Sequence, residues 1–165
     1  MRKGPRVEKL KDATFVLRDL PPSLALALGE IPALVAEGSA GAPRRHEGSP
    51  YRDDPRADDH WSRHAAPGLR HLFEEARDTV LRDLRGLEPE SGHRRGFRLA
   101  VPAKHLPAWL STLAGVRVVL GDRHSVTEAE MEADLPAEIR DERDRAVILI
   151  HLLGWIQGLL VEAGA

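Results

Sequence analysis

The chain has 165 residues, of which 42% are hydrophobic and 30% charged, with a formal net charge of −2. That length can hide a core without covalent staples, and the balance of residue types excludes a wholly disordered chain and a membrane protein. Cysteine is absent, which removes disulfides, thiolate metal ligands, a cysteine nucleophile and thiol redox switching.

Residues 1–11 carry Arg2, Lys3, Arg6, Lys9 and Lys11 against Glu8, a local charge of +4. They read as a basic flexible arm ahead of a single α-helical domain over residues 12–165. No apolar segment or small-residue cleavage site follows, so a secretory signal is not expected and a cytoplasmic location is. Phe15 and Leu17 alternate with smaller or polar neighbours, a short strand that runs into Pro21 and Pro22. Pro22 suits a first helical turn, and Leu24, Leu28, Ile31 and Val35 place one apolar stripe on the helix that follows. Pro32 cannot donate to the carbonyl of Leu28 and should kink that helix, which Gly38 ends. Residues 38–58 collect Gly, Ser, Pro, Arg and Asp, the composition of a long loop.

Pro67 opens a second helix with Leu69, Leu72, Phe73, Ala76, Val80 and Leu84 at core spacing. Phe97, Leu99 and Val101 alternate in a second strand that also runs into a proline, and the two strands could pair as a ribbon against helices. A third helix carries Leu106, Trp109, Leu110, Leu113, Val116 and Leu120 on one stripe, with Gly121 as its stop. Thr127 and Glu130 match a capping box that starts a short acidic helix. Residues 128–144 hold eight acidic residues against Arg140 and Arg143, a local −6. Asp134-Leu135-Pro136 can begin the last long helix, whose apolar run from Ala146 to Leu160 is interrupted only by His151, Gly154, Gln157 and Gly158. Fifteen residues are short for a membrane span, and a helix apolar on nearly its whole circumference belongs inside others. The expected fold is mainly α: a helical bundle around a buried C-terminal helix, with a minor two-stranded β element.

No phosphate-binding glycine loop, nucleophile elbow or His-Glu-x-x-His motif occurs, so no enzyme template fits and no cofactor is expected. His60, His64 and His71 have helix-face spacing for a metal-dependent enzyme, but a helix starting afresh at Pro67 breaks the register, and solvated polar residues are the plainer reading. His151 reads as a hydrogen-bonded core histidine or as a ligand. Gly154 and Gly158 allow either a tight crossing within the chain or a homodimer through the last helix. Arg117 interrupts an apolar stripe, so its guanidinium must snorkel outward or find a carboxylate, with Asp53 and Asp54 as candidates. The basic arm could touch nucleic acid through phosphates, although no basic recognition helix accompanies it. The absence of a catalytic cleft rests on the last helix being dry on every side.

Tyr51-Arg52-Asp53-Asp54-Pro55, Trp109-Leu110 through Arg117, Leu120-Gly121 and Arg123 to Val126-Thr127-Glu128, and Leu153-Gly154-Trp155-x-Gln157 recur in order along most of the chain. Together they resemble the actinobacterial AosR-type family of oxidative-stress transcriptional regulators, long described as a domain of unknown function. The resemblance implies a cytosolic, non-enzymatic regulator of stress transcription acting with a sigma factor or RNA polymerase. On that reading the candidate protein-binding residues are Tyr51, Arg52, Asp53, Asp54, Trp61, Arg117 and Arg123, because aromatics and arginines anchor interfaces. The chain departs from the pattern at Ala114, where an asparagine is expected, and over residues 88–95. Lacking cysteine, it cannot use the disulfide sensing attached to the family.

Overall fold

The computed structural model describes residues 4–39, 49–91 and 96–165. The elements run β1 (Arg6–Lys9), β2 (Thr14–Leu20), α1 (Pro22–Ser39), α2 (Pro55–His64), α3 (Ala66–Leu84), β3 (Glu88–Pro89), β4 (Phe97–Pro102), a 3-10 turn (Ala103–His105), α4 (Leu106–Arg123), α5 (Glu128–Glu132) and α6 (Glu142–Gly164). The fold is mainly helical, and its β element is a four-stranded antiparallel sheet of order β1-β2-β4-β3 instead of a two-stranded ribbon.

The expected pair, β2 with β4, forms the middle of the sheet with Leu17 opposite Leu99 and Phe15 opposite Val101. Its edges carry almost no apolar signal. β1 places Arg6 opposite Arg18 and Lys9 opposite Phe15, so four residues assigned to a free arm are an edge strand instead. Only Val7 within β1 is aliphatic, and its pairing is supplied by β2 rather than by its own alternation. The turn between them closes through the Leu10 N–H on the Thr14 carbonyl at 2.8 Å, with Ala13 in the left-handed region at φ 58°. A bulge interrupts β2 between Leu17 and Leu20, where Asp19 sits at φ 55°. A side chain at Gly96 would meet the Asp19 Cα at 3.1 Å, so β4 can approach the bulge only with glycine there. The carboxylate of Asp19 lies 3.2 Å from Arg6 Nε, which ties the edge strand to the bulge.

One core joins the sheet to the helices. Leu17, Leu20, Leu99 and Val101 from the sheet meet Leu24, Leu28 and Ile31 of α1, Val80 of α3, Leu113 of α4, and Leu153, Ile156 and Leu160 of α6. Trp109 is fully buried. Pro32 lies within α1, which continues through it.

Three expected boundaries move. The region assigned to a loop at 38–58 includes the end of α1 and the start of α2. Asp54 caps α2 by accepting from the backbone N–H groups of Arg56 and Ala57, and Pro55 fits the first turn; such a cap is worth about 1 kcal/mol. Helix α4 runs past Gly121 to Arg123, because a glycine with a helical continuation loses only propensity. Helix α6 begins at Glu142 instead of residues 134–136, since Asp141 supplies the cap on the Asp144 N–H at 2.8 Å. The capping box on α5 forms as expected, with Glu130 accepting from the Thr127 N–H at 2.8 Å.

Candidate functional site

Helices α4 and α6 lie antiparallel. Gly164 faces Leu106, Gly154 faces Arg117, and Arg143 donates to the Ser125 carbonyl at 2.9 Å. The contact at Gly154 is with the charged head of Arg117: a methyl group at Gly154 would lie 3.2 Å from both Cζ and Nη2. Arg117 Nη1 donates to Gln157 Oε1 at 2.9 Å, while its Nε is buried without an acceptor. The guanidinium is thus laid against α6, held by a neutral amide. Neither Asp53 nor Asp54 reaches it: Asp54 is spent on the α2 cap, and Asp53 is exposed. Of the two readings, the ion pair with Asp53 or Asp54 does not form; α2, which Asp54 caps, packs on α3.

Beyond this seam α6 faces water. Its buried residues, Ala146, Val147, Ile150, Leu153, Ile156 and Leu160, occupy one side, as one stripe of a 3.6-residue repeat must. On the other side Trp155 is 50% exposed, flanked by half-buried Ile148, Leu152 and Leu159. The expectation of a helix dry around its circumference is therefore overturned. So too is the support it lent to the absence of a catalytic cleft. Among the described residues α6 is the one helix long and apolar enough to cross a membrane, and 39% of its most apolar window is buried in this fold. His151, one turn before Gly154, keeps its Nε2 buried with no partner, so it is not the hydrogen-bonded core histidine expected. The two glycines divide their roles. Gly154 admits Arg117, whereas Gly158 is exposed with open space beside it.

Arg123 belongs to a different place. It pairs with Glu37 at a cleft of about 110 Å³ between α1, α4 and the start of α6, where Arg145 also bonds Glu30 at 2.7 Å. Leu34, Leu120 and Ala146 floor this cleft. Nearby, the Arg143 guanidinium and the Thr127 N–H hold the Glu130 carboxyl down to about 2, which fastens α5 to α6.

The remaining candidates cluster around α2. Tyr51 packs edge-on against Trp61 with ring centroids 6.3 Å apart, and the Trp61 indole N–H is buried without an acceptor. Arg52 is exposed. His60 and His64 lie on the same face of α2 with their rings tilted, 4.6 Å between centroids, while His71 lies on α3 beside Glu75. Helix α2 ends at His64 and α3 begins at Ala66, so the three histidines do not converge. No group of three metal-ligating side chains gathers among the described residues. In the basic arm Arg6 is engaged by Asp19 and Lys9 lies over the Phe15 ring, while Met1 to Lys3 fall outside the described residues.

One polar hub had no local sequence signal. Asp83 of α3 accepts from Trp109 Nε1 and contacts His105 Nδ1, each at 2.9 Å, and so clamps α3 to α4. Its members are 22 and 26 residues apart; only the i, i+4 spacing of His105 and Trp109 hinted at a shared target.

Residues 27–164 match the family described as a domain of unknown function, DUF2017. The chain belongs to that family. No curated protein and no solved structure matches it. The match spans α1 to α6 and so includes the Arg117–Gly154 seam, the outer face of α6 and the Arg123 cleft.

Proposed function

We propose that this DUF2017 protein is a non-enzymatic regulatory adaptor that works by binding another protein through the outer face of the α4–α6 pair. The observation that supports it is the uncovered flank of α6. A half-exposed tryptophan amid half-buried aliphatic residues has the composition of an interface centre more than of ordinary surface. The AosR-type resemblance suggests the partner: a sigma factor or RNA polymerase, which would place the protein in the cytoplasm. Direct DNA association through the basic arm has less support, because Arg6 and Lys9 already have partners within the chain.

The test is co-elution of the purified protein with actinobacterial core RNA polymerase and with individual sigma factors. One of them should bind, and Trp155→Glu should weaken that complex about tenfold or more while leaving the helical circular dichroism unchanged. Absence of binding to all of them rejects the transcription partner. Binding indifferent to Trp155→Glu rejects the surface, and a concentration-dependent change of size abolished by Gly158→Leu would assign the face to a second copy instead.

A further inference from the structure

Among the described residues Arg117 uses one of its five N–H donors, on a neutral amide. A half-buried guanidinium with a buried, unused Nε is costly in the free protein, because desolvation is not repaid by an opposite charge. The site is nevertheless constructed. Gly154 removes the one side chain that would fill the seat, and Gln157, one turn on, fixes the fork's orientation. On the turn before, His151 adds a second buried nitrogen without a partner.

We infer that Arg117 is the seat for a single carboxylate from a partner protein, an Asp or Glu side chain flanked by apolar residues. This rests on the protein-binding reading above and names the chemistry of the partner. With Nε buried and one Nη1 N–H on Gln157, Nη2 and the second Nη1 N–H are left to receive a carboxylate end-on. The flanks supply the apolar requirement: Trp155 and Val161 on α6 and Val118 on α4 are exposed. The stretches of α4 and α6 nearest this seat are poor in cations. Between Leu106 and Gly121 the only Lys or Arg is Arg117, and between Ala146 and Ala165 there is none, with Glu162 adding a negative charge. A nucleic-acid backbone needs a track of cations, whereas these two stretches offer one.

The experiment titrates the full-length, 15N-labelled protein with acetyl-Leu-Glu-Leu-amide, with its Gln counterpart and with inorganic phosphate. The Arg117 Nε–H and Trp155 indole resonances report binding. The Glu peptide should shift both signals saturably, with the Gln peptide and phosphate weaker by about tenfold or more, the scale of a lost charge-assisted pair. Arg117→Gln should abolish the discrimination between Glu and Gln peptides, and Arg117→Lys should restore only part of it. Gly154→Ala provides a second route should Arg117→Gln fail to fold: the new methyl group meets only the far end of the long Arg117 side chain and no backbone, so the protein should stay folded and bind the Glu peptide more weakly. Equal binding of the two peptides, tighter binding of phosphate, or no saturable shift overturns the proposal. Should a sigma factor or RNA polymerase still bind, and bind Arg117→Gln equally well, the carboxylate seat falls while the adaptor reading stands.

Discussion

Helix α4 carries a polar group on each of two flanks, and the two are satisfied very differently. Toward α3, the indole of Trp109 and the imidazole of His105 share the buried carboxylate of Asp83. Toward α6, Arg117 finds only the amide of Gln157. A folding unit selected for stability alone would treat the second flank like the first, or fill it with an aliphatic residue. The Asp83 hub therefore reads as structure, whereas the Arg117 seam fits the proposed carboxylate seat, which would give up stability for recognition.

The largest effect that would sharpen this contrast belongs to the hub. Asp83→Ala leaves the fully buried Trp109 N–H without an acceptor and should lower the unfolding free energy by about 2–4 kcal/mol, measured by urea denaturation. An effect below about 1 kcal/mol would break the comparison, making the hub as dispensable as a surface pair. Arg117→Met should go the other way. An apolar chain of similar length fits the seam without an unpaired charge, so stability should be unchanged or about 1 kcal/mol higher while carboxylate binding is lost. Clear destabilisation would mean that Arg117 is itself part of the scaffold.

The smallest effect concerns the exposed ion pair of Glu130 with Arg143. The folded Glu130 carboxyl titrates at about 2, below its ordinary 4.5, so its contribution is fully present above the ordinary value and is lost as pH falls through the folded one. The Glu130 side-chain Cδ shift should hold steady from neutral pH to about 4.5 and move between there and about 2. Movement centred on the ordinary carboxylate range would show that the α5–α6 tie is absent in solution.

Much of the fold was legible because its signals are local. Stripes such as Leu113, Val116 and Leu120, the Thr127–Glu130 box, and the paired alternation of Phe15 and Leu17 with Leu99 and Val101 each depend on near neighbours. Helix α2 was missed for lack of an apolar stripe, although Asp54-Pro55 was a usable start signal. β1 was missed because a strand of Arg, Val, Glu and Lys has no preference that its partner does not supply. For the site, the sequence picked out Arg117 as an oddity and Gly154 as a close-approach residue, but only their contact joined the two. It also grouped Arg117 with Arg123, which the fold sends to separate places.

Composition and periodicity by themselves determined that this chain makes amphipathic helices around one core, that it has no thiol chemistry, and that a charge interrupts α4. Which side of α6 would be dry, what Arg117 would meet, and which carboxylate would be spent on a cap were decided only in three dimensions. The physical reason is that burial and charge pairing belong to contacts between distant segments. A run of apolar residues says that a helix seeks cover, and only its neighbours decide how much of it they provide.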